Sequence, residues 1–213
     1  MKLEVLDLSV NFFNNTILSF LALLSNLKFL NIKSNRLEGA IHIKDSEIWK
    51  SYSCKVLGHL TSLKRLVLYK CEINGSLALQ GFCGMTNLQE LDFTNSNLKG
   101  GLPNCFSNLT SLRKLDLISY NIALHSLKSL ETLALSFNIS ALQRLHLYSN
   151  NFSRNISALE SITSLERFSL SSNQFFGNIL ALKNLPSLQD LSLSNPDLTG
   201  AFVQPFKTQM PIC

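Results

Sequence analysis

Leucine recurs along this chain in a fixed alternation with polar residues. With Leu88 counted as position 1, apolar residues stand at positions 4, 6, 11 and 15, as Leu91, Phe93, Leu98 and Leu102. Positions 4 and 6 have polar neighbours, and this period of two is that of a β-strand with one face turned inward. Each copy of the pattern therefore predicts one short strand.

The same pattern returns from one end of the chain to the other. Copies begin at Leu3, Leu27, Leu63, Leu88, Leu112, Leu142, Leu165 and Leu188, and a degenerate copy begins at Leu130. A period sustained over so many copies is typical of a solenoid in which each strand pairs with the strand of the next repeat. We therefore predict one domain over residues 1–213: an α/β repeat solenoid with a parallel sheet on its concave face. The alternative, a globular α/β domain rich in leucine, does not explain the period.

Position 9 carries a polar residue just after each predicted strand. It is asparagine in five copies, Asn11, Asn35, Asn138, Asn150 and Asn173. We expect these amides to bond backbone groups inside the stack that have no sheet partner, because buried polar groups need such partners. Where the residue is instead Cys71, Ser96, Tyr120 or Pro196, we expect a less regular coil.

Glycine at position 13 makes the pattern more specific. It stands at Gly39, Gly75, Gly100, Gly177 and Gly200, and gives the signature LxGxI in "LEGAI" (37–41) and "FFGNI" (175–179). Together with "GFCGMTNLQELDF" and "GLPNCFSNLTSLRKLDL", this resembles the plant-type leucine-rich repeat in the ectodomains of plant receptor-like proteins. The resemblance covers nearly the whole chain, except about residues 42–60 and the last dozen. It implies a right-handed horseshoe with an irregular or 3-10 convex side.

The family that the chain resembles has parts that this sequence lacks. Those proteins begin with an export signal and a cysteine-bearing cap, and they end with a second cap and one membrane span. The chain is therefore interpreted as a fragment, truncated product or splice form of a larger receptor. The resemblance implies a location at the extracellular face of the plasma membrane, or alternatively in the apoplast, without membrane insertion by this chain itself.

Residues 42–60 interrupt the repeat, in the stretch "HIKDSEIWKSYSCKVLGHL". Trp49, Tyr52 and their basic neighbours would suit a protruding contact loop. The favoured interpretation is the scar of a missing repeat, folded irregularly on one side.

The solvent-facing strand positions, 2, 3, 5, 7 and 8, are the candidates for binding. Exposed Tyr and Arg side chains are the types that anchor interfaces. The predicted partner-binding residues are Arg65, Tyr69, Arg113, Arg144, His146, Tyr148 and Arg167. The alternative is an ordinary solvated face, whose charges keep it soluble.

Five cysteines occur, Cys54, Cys71, Cys83, Cys105 and Cys213. Cys83 and Cys105 fall on the convex side of consecutive repeats. Adjacent coils lie about 4.8 Å apart, and a disulfide needs Cα atoms roughly 4.4–6.8 Å apart, so we predict that these two pair. The alternative is two half-buried thiols. Cys71 is predicted to be a core thiol.

Sequons of the form N-x-S/T lend moderate support to secretion. They begin at Asn14, Asn74, Asn108, Asn138, Asn151 and Asn155. Asn138 stands at position 9, inside the predicted stack, and is expected to stay unmodified. The other five are predicted glycosylation sites.

Charge and motifs exclude several function classes. The formal net charge of +5 weakly favours acidic partners, but no run of Lys and Arg marks a nucleic-acid site. No HExxH, P-loop, nucleophile elbow or kinase signature occurs, so we predict no enzyme, no metal and no cofactor.

The resemblance implies a recognition domain that binds a peptide or protein ligand and acts through a co-receptor kinase, in defence or development. One alternative is a secreted inhibitor of a cell-wall-degrading enzyme. Another is a truncated, non-functional remnant, because terminal repeats without caps expose apolar edges.

Overall fold

The computed structural model describes residues 2–14, 16–21, 23–37, 59–71, 81–96, 104–118, 141–150, 152–195 and 197–200. Eight three-residue strands within these ranges form one parallel sheet in the order of the sequence. They are β1 (Val5–Asp7), β2 (Phe29–Asn31), β3 (Arg65–Val67), β4 (Glu90–Asp92), β5 (Lys114–Asp116), β6 (Arg144–His146), β7 (Arg167–Ser169) and β9 (Asp190–Ser192). Each strand occupies positions 3 to 5 of its copy, so the predicted parallel-sheet solenoid is confirmed.

The register of the sheet stacks equivalent positions over one another. Leu115 of β5 lies opposite Leu145 of β6, and Leu145 lies opposite Phe168 of β7. Strand β5 bonds directly to β6, and the degenerate copy at Leu130 lies outside the described ranges.

The core is built from the same columns in every coil. Positions 1, 4 and 6 are buried from β2 onward, as in Leu88, Leu91 and Phe93, each at most 1% exposed. The exception is Leu193, at position 6 of the last coil, which is half-buried. Phe82, from the return segment, meets the Phe93 ring edge-on with centroids 5.3 Å apart. Strand and return segment therefore close on each other through apolar contacts within each turn.

Short helices line the side opposite the sheet. Four are 3-10 helices, Gly81–Gly84, Asn104–Asn108, Ile156–Leu159 and Ile179–Asn184, and one is α-helical, α1 (Ile17–Leu21). This agrees with the expected 3-10 convex side. No helix in the described ranges is long and apolar enough to cross a bilayer.

The glycine signature marks a second, smaller sheet. Strand β8 (Gly177–Asn178) pairs in parallel with β10 (Leu198–Thr199). Gly177 has φ of +102°, a left-handed conformation that glycine adopts without cost. A Cβ at Gly177 would stand 2.7 Å from Oδ1 of Asn155, which caps the helix Ile156–Leu159 in the preceding coil. Glycine is therefore needed here for both conformation and space.

The polar residue at position 9 links each coil to the one before it. The acceptor is always the position-6 carbonyl of the preceding coil: Asn35 donates to Leu8 O at 2.9 Å, and Asn173 donates to Leu147 O at 2.7 Å. Asn150 makes the same bond to Leu117 O. The expected role inside the stack is confirmed for Asn35, Asn150 and Asn173. It is wrong for Asn11, which is exposed and bonds only to Leu8 O and Ser9 O of its own coil.

Two residues that break the asparagine pattern keep its hydrogen bond. Cys71 Sγ lies 3.4 Å from Ile32 O, and Ser96 Oγ lies 2.5 Å from Leu68 O. The irregularity expected after Cys71 and Ser96 concerns residues 72–80 and 97–103, which lie outside the described ranges. Tyr120 and Pro196 lie outside them as well.

The first coil is packed less tightly than the others. Leu6 is only half-buried, whereas its partner Leu30 is fully buried. Val10 and Phe12 are 75% and 78% exposed. This apolar exposure agrees with the expectation for a terminal repeat.

Candidate binding face

The solvent side of the eight-stranded sheet is called the open face here. Because side chains alternate along a strand, positions 3, 5 and 7 lie on the open face while positions 4 and 6 point to the core. The position-3 row runs Val5, Phe29, Arg65, Glu90, Lys114, Arg144, Arg167 and Asp190. This row begins with apolar residues, carries three consecutive cations at Lys114, Arg144 and Arg167, and ends with an acid.

All seven predicted binding residues lie on this face. The guanidinium-bearing residues Arg65, Arg113, Arg144 and Arg167 are exposed, and the rings of Tyr69, His146 and Tyr148 are half-buried. Arg144, His146 and Tyr148 project from one strand and its continuation, as expected. Their role in binding stays a prediction.

Two of these arginines are paired with acids across the position-3 row. Arg65 Nε lies 3.1 Å from Glu90 Oε2, and Arg167 Nε lies 3.1 Å from Asp190 Oδ2. All four side chains are about half-exposed, so each pair stabilises the fold by at most about 1 kcal/mol. Because these pairs contribute so little to stability, Arg65 and Arg167 can still contact a partner.

The expectation that position 5 faces solvent is wrong for Asp116, which is 6% exposed. Its carboxylate lies 2.9 Å from Lys114 Nζ and 2.6 Å from His146 Nδ1. Burial by itself raises the pKa of Asp116, but the hydrogen bonds and charges of His146 and Lys114 outweigh it and lower the pKa. Asp116 thus orients the His146 ring on the open face. Thr94, also expected at the surface, is 7% exposed.

Arg113 and Arg144 lie beside this pair without an acid of their own. The backbone N–H groups of Gln143 and Arg144 both donate to Arg113 O, at 2.9 Å, which fixes the two arginines on adjacent coils. In the described part of the chain, neither guanidinium makes an ion pair. The open face therefore presents two positive charges that no acid among the described residues compensates.

A second group surrounds Tyr69 at the other end of the face. Lys33 Nζ lies 4.5 Å and Lys70 Nζ 5.3 Å from the centroid of its ring. Cation–π contacts at exposed sites are worth about 0.5–1 kcal/mol, so the ring holds both ammonium groups loosely. Tyr69 is among the partner-binding residues predicted from the sequence, whereas Lys33 and Lys70 are not.

The predicted disulfide lies on the other side of the molecule. Cys83 and Cys105 belong to the 3-10 helices Gly81–Gly84 and Asn104–Asn108, which pack against each other. Their side chains lie outside the description, so the pairing stays a prediction. Cys71 is a buried, free thiol, and burial raises its pKa to about 11.

Three of the predicted glycosylation sites can be placed. Asn14, Asn108 and Asn155 are all exposed, and none lies in a strand of the large sheet. Asn74, Asn151 and the unmodified Asn138 lie outside the described ranges, as do residues 42–58 of the insertion. No group of three or more His, Cys, Asp or Glu within the described ranges could hold a metal ion.

Comparison with known proteins places the fold. A family model described as Leucine Rich Repeat matches residues 87–109. The crystal structure of the Arabidopsis receptor kinase HAESA, in complex with the peptide hormone IDA and the co-receptor SERK1, has a TM-score of 0.66 at 27% identity, over 88% of this chain and 29% of that one. The fold is a leucine-rich-repeat solenoid.

Two curated relatives of this leucine-rich-repeat chain are plant receptors. Cuscuta receptor 1 from Solanum lycopersicum is 46% identical over 90 residues, which are 38% of this chain and 8% of that protein. Putative receptor-like protein 8 from Arabidopsis thaliana is 36% identical over 125 residues, which are 53% of this chain and 12% of that protein. The resemblance to plant receptor-like proteins is confirmed. The chain spans about a tenth of the length of these relatives.

Proposed function

We propose that this chain is a non-catalytic ligand-recognition domain of a plant cell-surface receptor-like protein, and that it binds a peptide or protein ligand on its open face. The observation that carries the proposal is the pair of cations Arg113 and Arg144, which make no ion pair with any described residue, beside the His146 ring that Asp116 orients. Charges that the fold does not use are available to a partner, and Arg and Tyr are the side chains that most often anchor interfaces.

The partner assignment rests on the HAESA structure, in which the receptor kinase is in complex with the peptide hormone IDA and the co-receptor SERK1. By analogy, the ligand would bridge this chain to a co-receptor kinase at the extracellular face of the plasma membrane. Defence and development both fit this arrangement.

Glycosylation is part of the same proposal. Sugars on Asn14, Asn108 and Asn155 would stand off the strands of the large sheet, which leaves its open face accessible. Asn74 and Asn151 are proposed as further sites. Mass mapping of protein secreted by plant cells tests these assignments, and sugar on Asn138 would contradict the assigned repeat.

Selection from a library of random 12-residue peptides, displayed on phage, tests the binding function with the whole chain as bait. We expect enriched peptides whose binding is lost in Arg144→Glu, which puts an acid among the cations of the face. The matched control is Lys183→Glu, the same charge reversal at an exposed residue of the helix Ile179–Asn184. Enrichment of no peptide, or equal loss in both variants, would contradict binding on the open face.

A further inference from the structure

The position-2 residues form a row of their own along the margin of the open face. Successive backbone bonds fix its order: Gln89 N to Lys64 O, Arg113 N to Gln89 O, Gln143 N to Arg113 O, and Glu166 N to Gln143 O, all between 2.7 and 2.9 Å. We name Lys64, Gln89, Arg113, Gln143 and Glu166 the leading row. Each member belongs to the next coil along the solenoid.

Charge in the leading row falls on every second coil. Lys64 and Arg113 are exposed cations, Glu166 is a half-buried acid, and neutral glutamines separate them. None of the three charged groups makes an ion pair within the described residues. By contrast, Lys28, the preceding position-2 residue, is neutralised by Glu4 at 2.7 Å. The leading row therefore carries a plus, plus, minus series without ion-pair partners in the described part of the chain.

The spacing of this series matches one backbone conformation. Neighbouring strands lie about 4.8 Å apart, so charges on alternate coils are separated by about 9.6 Å. A polyproline II helix has three residues per turn and a rise of about 3.1 Å, which brings every third side chain to the same face about 9.3 Å apart. A β-strand does not fit, because its residues i and i+3 point to opposite faces.

Resting on the function proposed above, we propose that the leading row binds a ligand segment in polyproline II conformation whose charges recur at every third residue. Acidic side chains at i and i+3 would contact Lys64 and Arg113, and a basic side chain at i+6 would contact Glu166. Arg144, one coil from Arg113, adds to the attraction for the second acid. A ligand running in the opposite direction would carry the same series reversed.

Two synthetic peptides test the spacing against the whole chain by fluorescence anisotropy. Both have a proline-rich background, two Glu and one Lys. In the first peptide the two Glu stand at i and i+3 and the Lys at i+6. In the second peptide the two Glu are adjacent. We expect the first peptide to bind about tenfold more tightly. Three exposed ion pairs contribute up to about 1 kcal/mol each, and even a reduced sum exceeds the free energy that a tenfold difference in Kd requires. The difference in affinity between the two peptides should shrink at high salt.

Charge reversal tests the contacts one by one. Arg113→Glu should remove the preference for the first peptide, whereas Lys183→Glu should leave it unchanged. Glu166→Lys should weaken the first peptide and favour a version in which Lys at i+6 is replaced by Glu. At Lys64 the corresponding charge reversal is Lys64→Glu. If that variant does not fold, Lys64→Gln replaces it as a milder change.

The outcomes separate this inference from the proposed function. If the phage selection enriches peptides but the two synthetic peptides bind equally, the spacing is wrong and the binding face stands. If an acidic oligouronate displaces the first peptide and itself loses affinity in Arg113→Glu, the partner is a polysaccharide and the peptide assignment is overturned. If no peptide binds at all, the proposed function falls with it.

Discussion

The two sides of the large sheet carry side chains from the same strands, yet they follow opposite rules. On the core side, position 4 is Leu30, Leu66, Leu91, Leu115, Leu145 and Phe168 in successive strands, all buried. On the open face, position 3 changes from aromatic to cation to acid along the same strands. The core side must fill a constant space in every coil, whereas solvent accepts any polar group. Recognition in such a solenoid can therefore vary without altering the fold.

The largest expected effect is on the core side of β6. Leu145→Ala would remove a side chain that is 1% exposed, at a cost of about 2–5 kcal/mol in the free energy of unfolding. Arg144→Ala, the neighbouring residue on the open face, should stay within about 0.5 kcal/mol. Urea denaturation measures both, and equal losses would erase the distinction between the two sides. A cooperative transition in the parent chain would also argue against the remnant interpretation.

The next effect concerns the bond between coils. Asn173 donates to Leu147 O, Leu170 O and, at 3.4 Å, Ser171 O, and it accepts from Phe152 N at 3.2 Å. Asn173→Ala leaves these buried groups unpaired and should cost about 1–3 kcal/mol. Asn11 bonds only within its own coil and is exposed, so Asn11→Ala should cost much less. The same denaturation experiment compares them.

A smaller loss in the free energy of unfolding is expected at the second sheet. Gly177→Ala should cost about 1–2 kcal/mol, because alanine is strained at a positive φ and its Cβ would meet the Asn155 amide. In an Asn155→Ala background, the part of this cost that comes from the clash with the Asn155 amide should disappear. The part that comes from the positive φ should remain. A double-mutant cycle checks this, and strict additivity would mean that Asn155 plays no part in the requirement for glycine.

The smallest effect lies on the open face itself. Asp116→Asn keeps one oxygen to accept from Lys114 but loses the charge, and we expect a cost of about 1 kcal/mol at neutral pH. Because folding lowers the pKa of Asp116, its contribution is present above the unfolded value near 3.9. That contribution is lost as pH falls through the lower folded value.

Denaturation at a series of pH values should therefore show a shallower acid loss in Asp116→Asn than in the parent chain. An unchanged acid slope would show that Asp116 is not coupled to its two cations. Glu90→Gln is a suitable comparison, because its ion pair with Arg65 is solvent-exposed.

The sequence alone determined the repeat, the strand positions and the identity of the open face. Period-two burial follows from local geometry, so Leu91 and Phe93 could be assigned to the core and Arg65 or Arg144 to solvent without a structure. The inward role of Asn35 and Asn173 was also predictable, because a buried amide requires backbone partners.

Only the tertiary structure decided which coils are neighbours. The sequence places a degenerate copy at Leu130 between the copies at Leu112 and Leu142, so the pairing of Asp116 with His146 could not be read from it. Nor does it show that the residue at position 8, such as Val10 or Lys70, takes a positive φ of about 55° as the chain leaves the strand. Both depend on how successive turns stack, and stacking is settled by contacts between residues far apart in the chain.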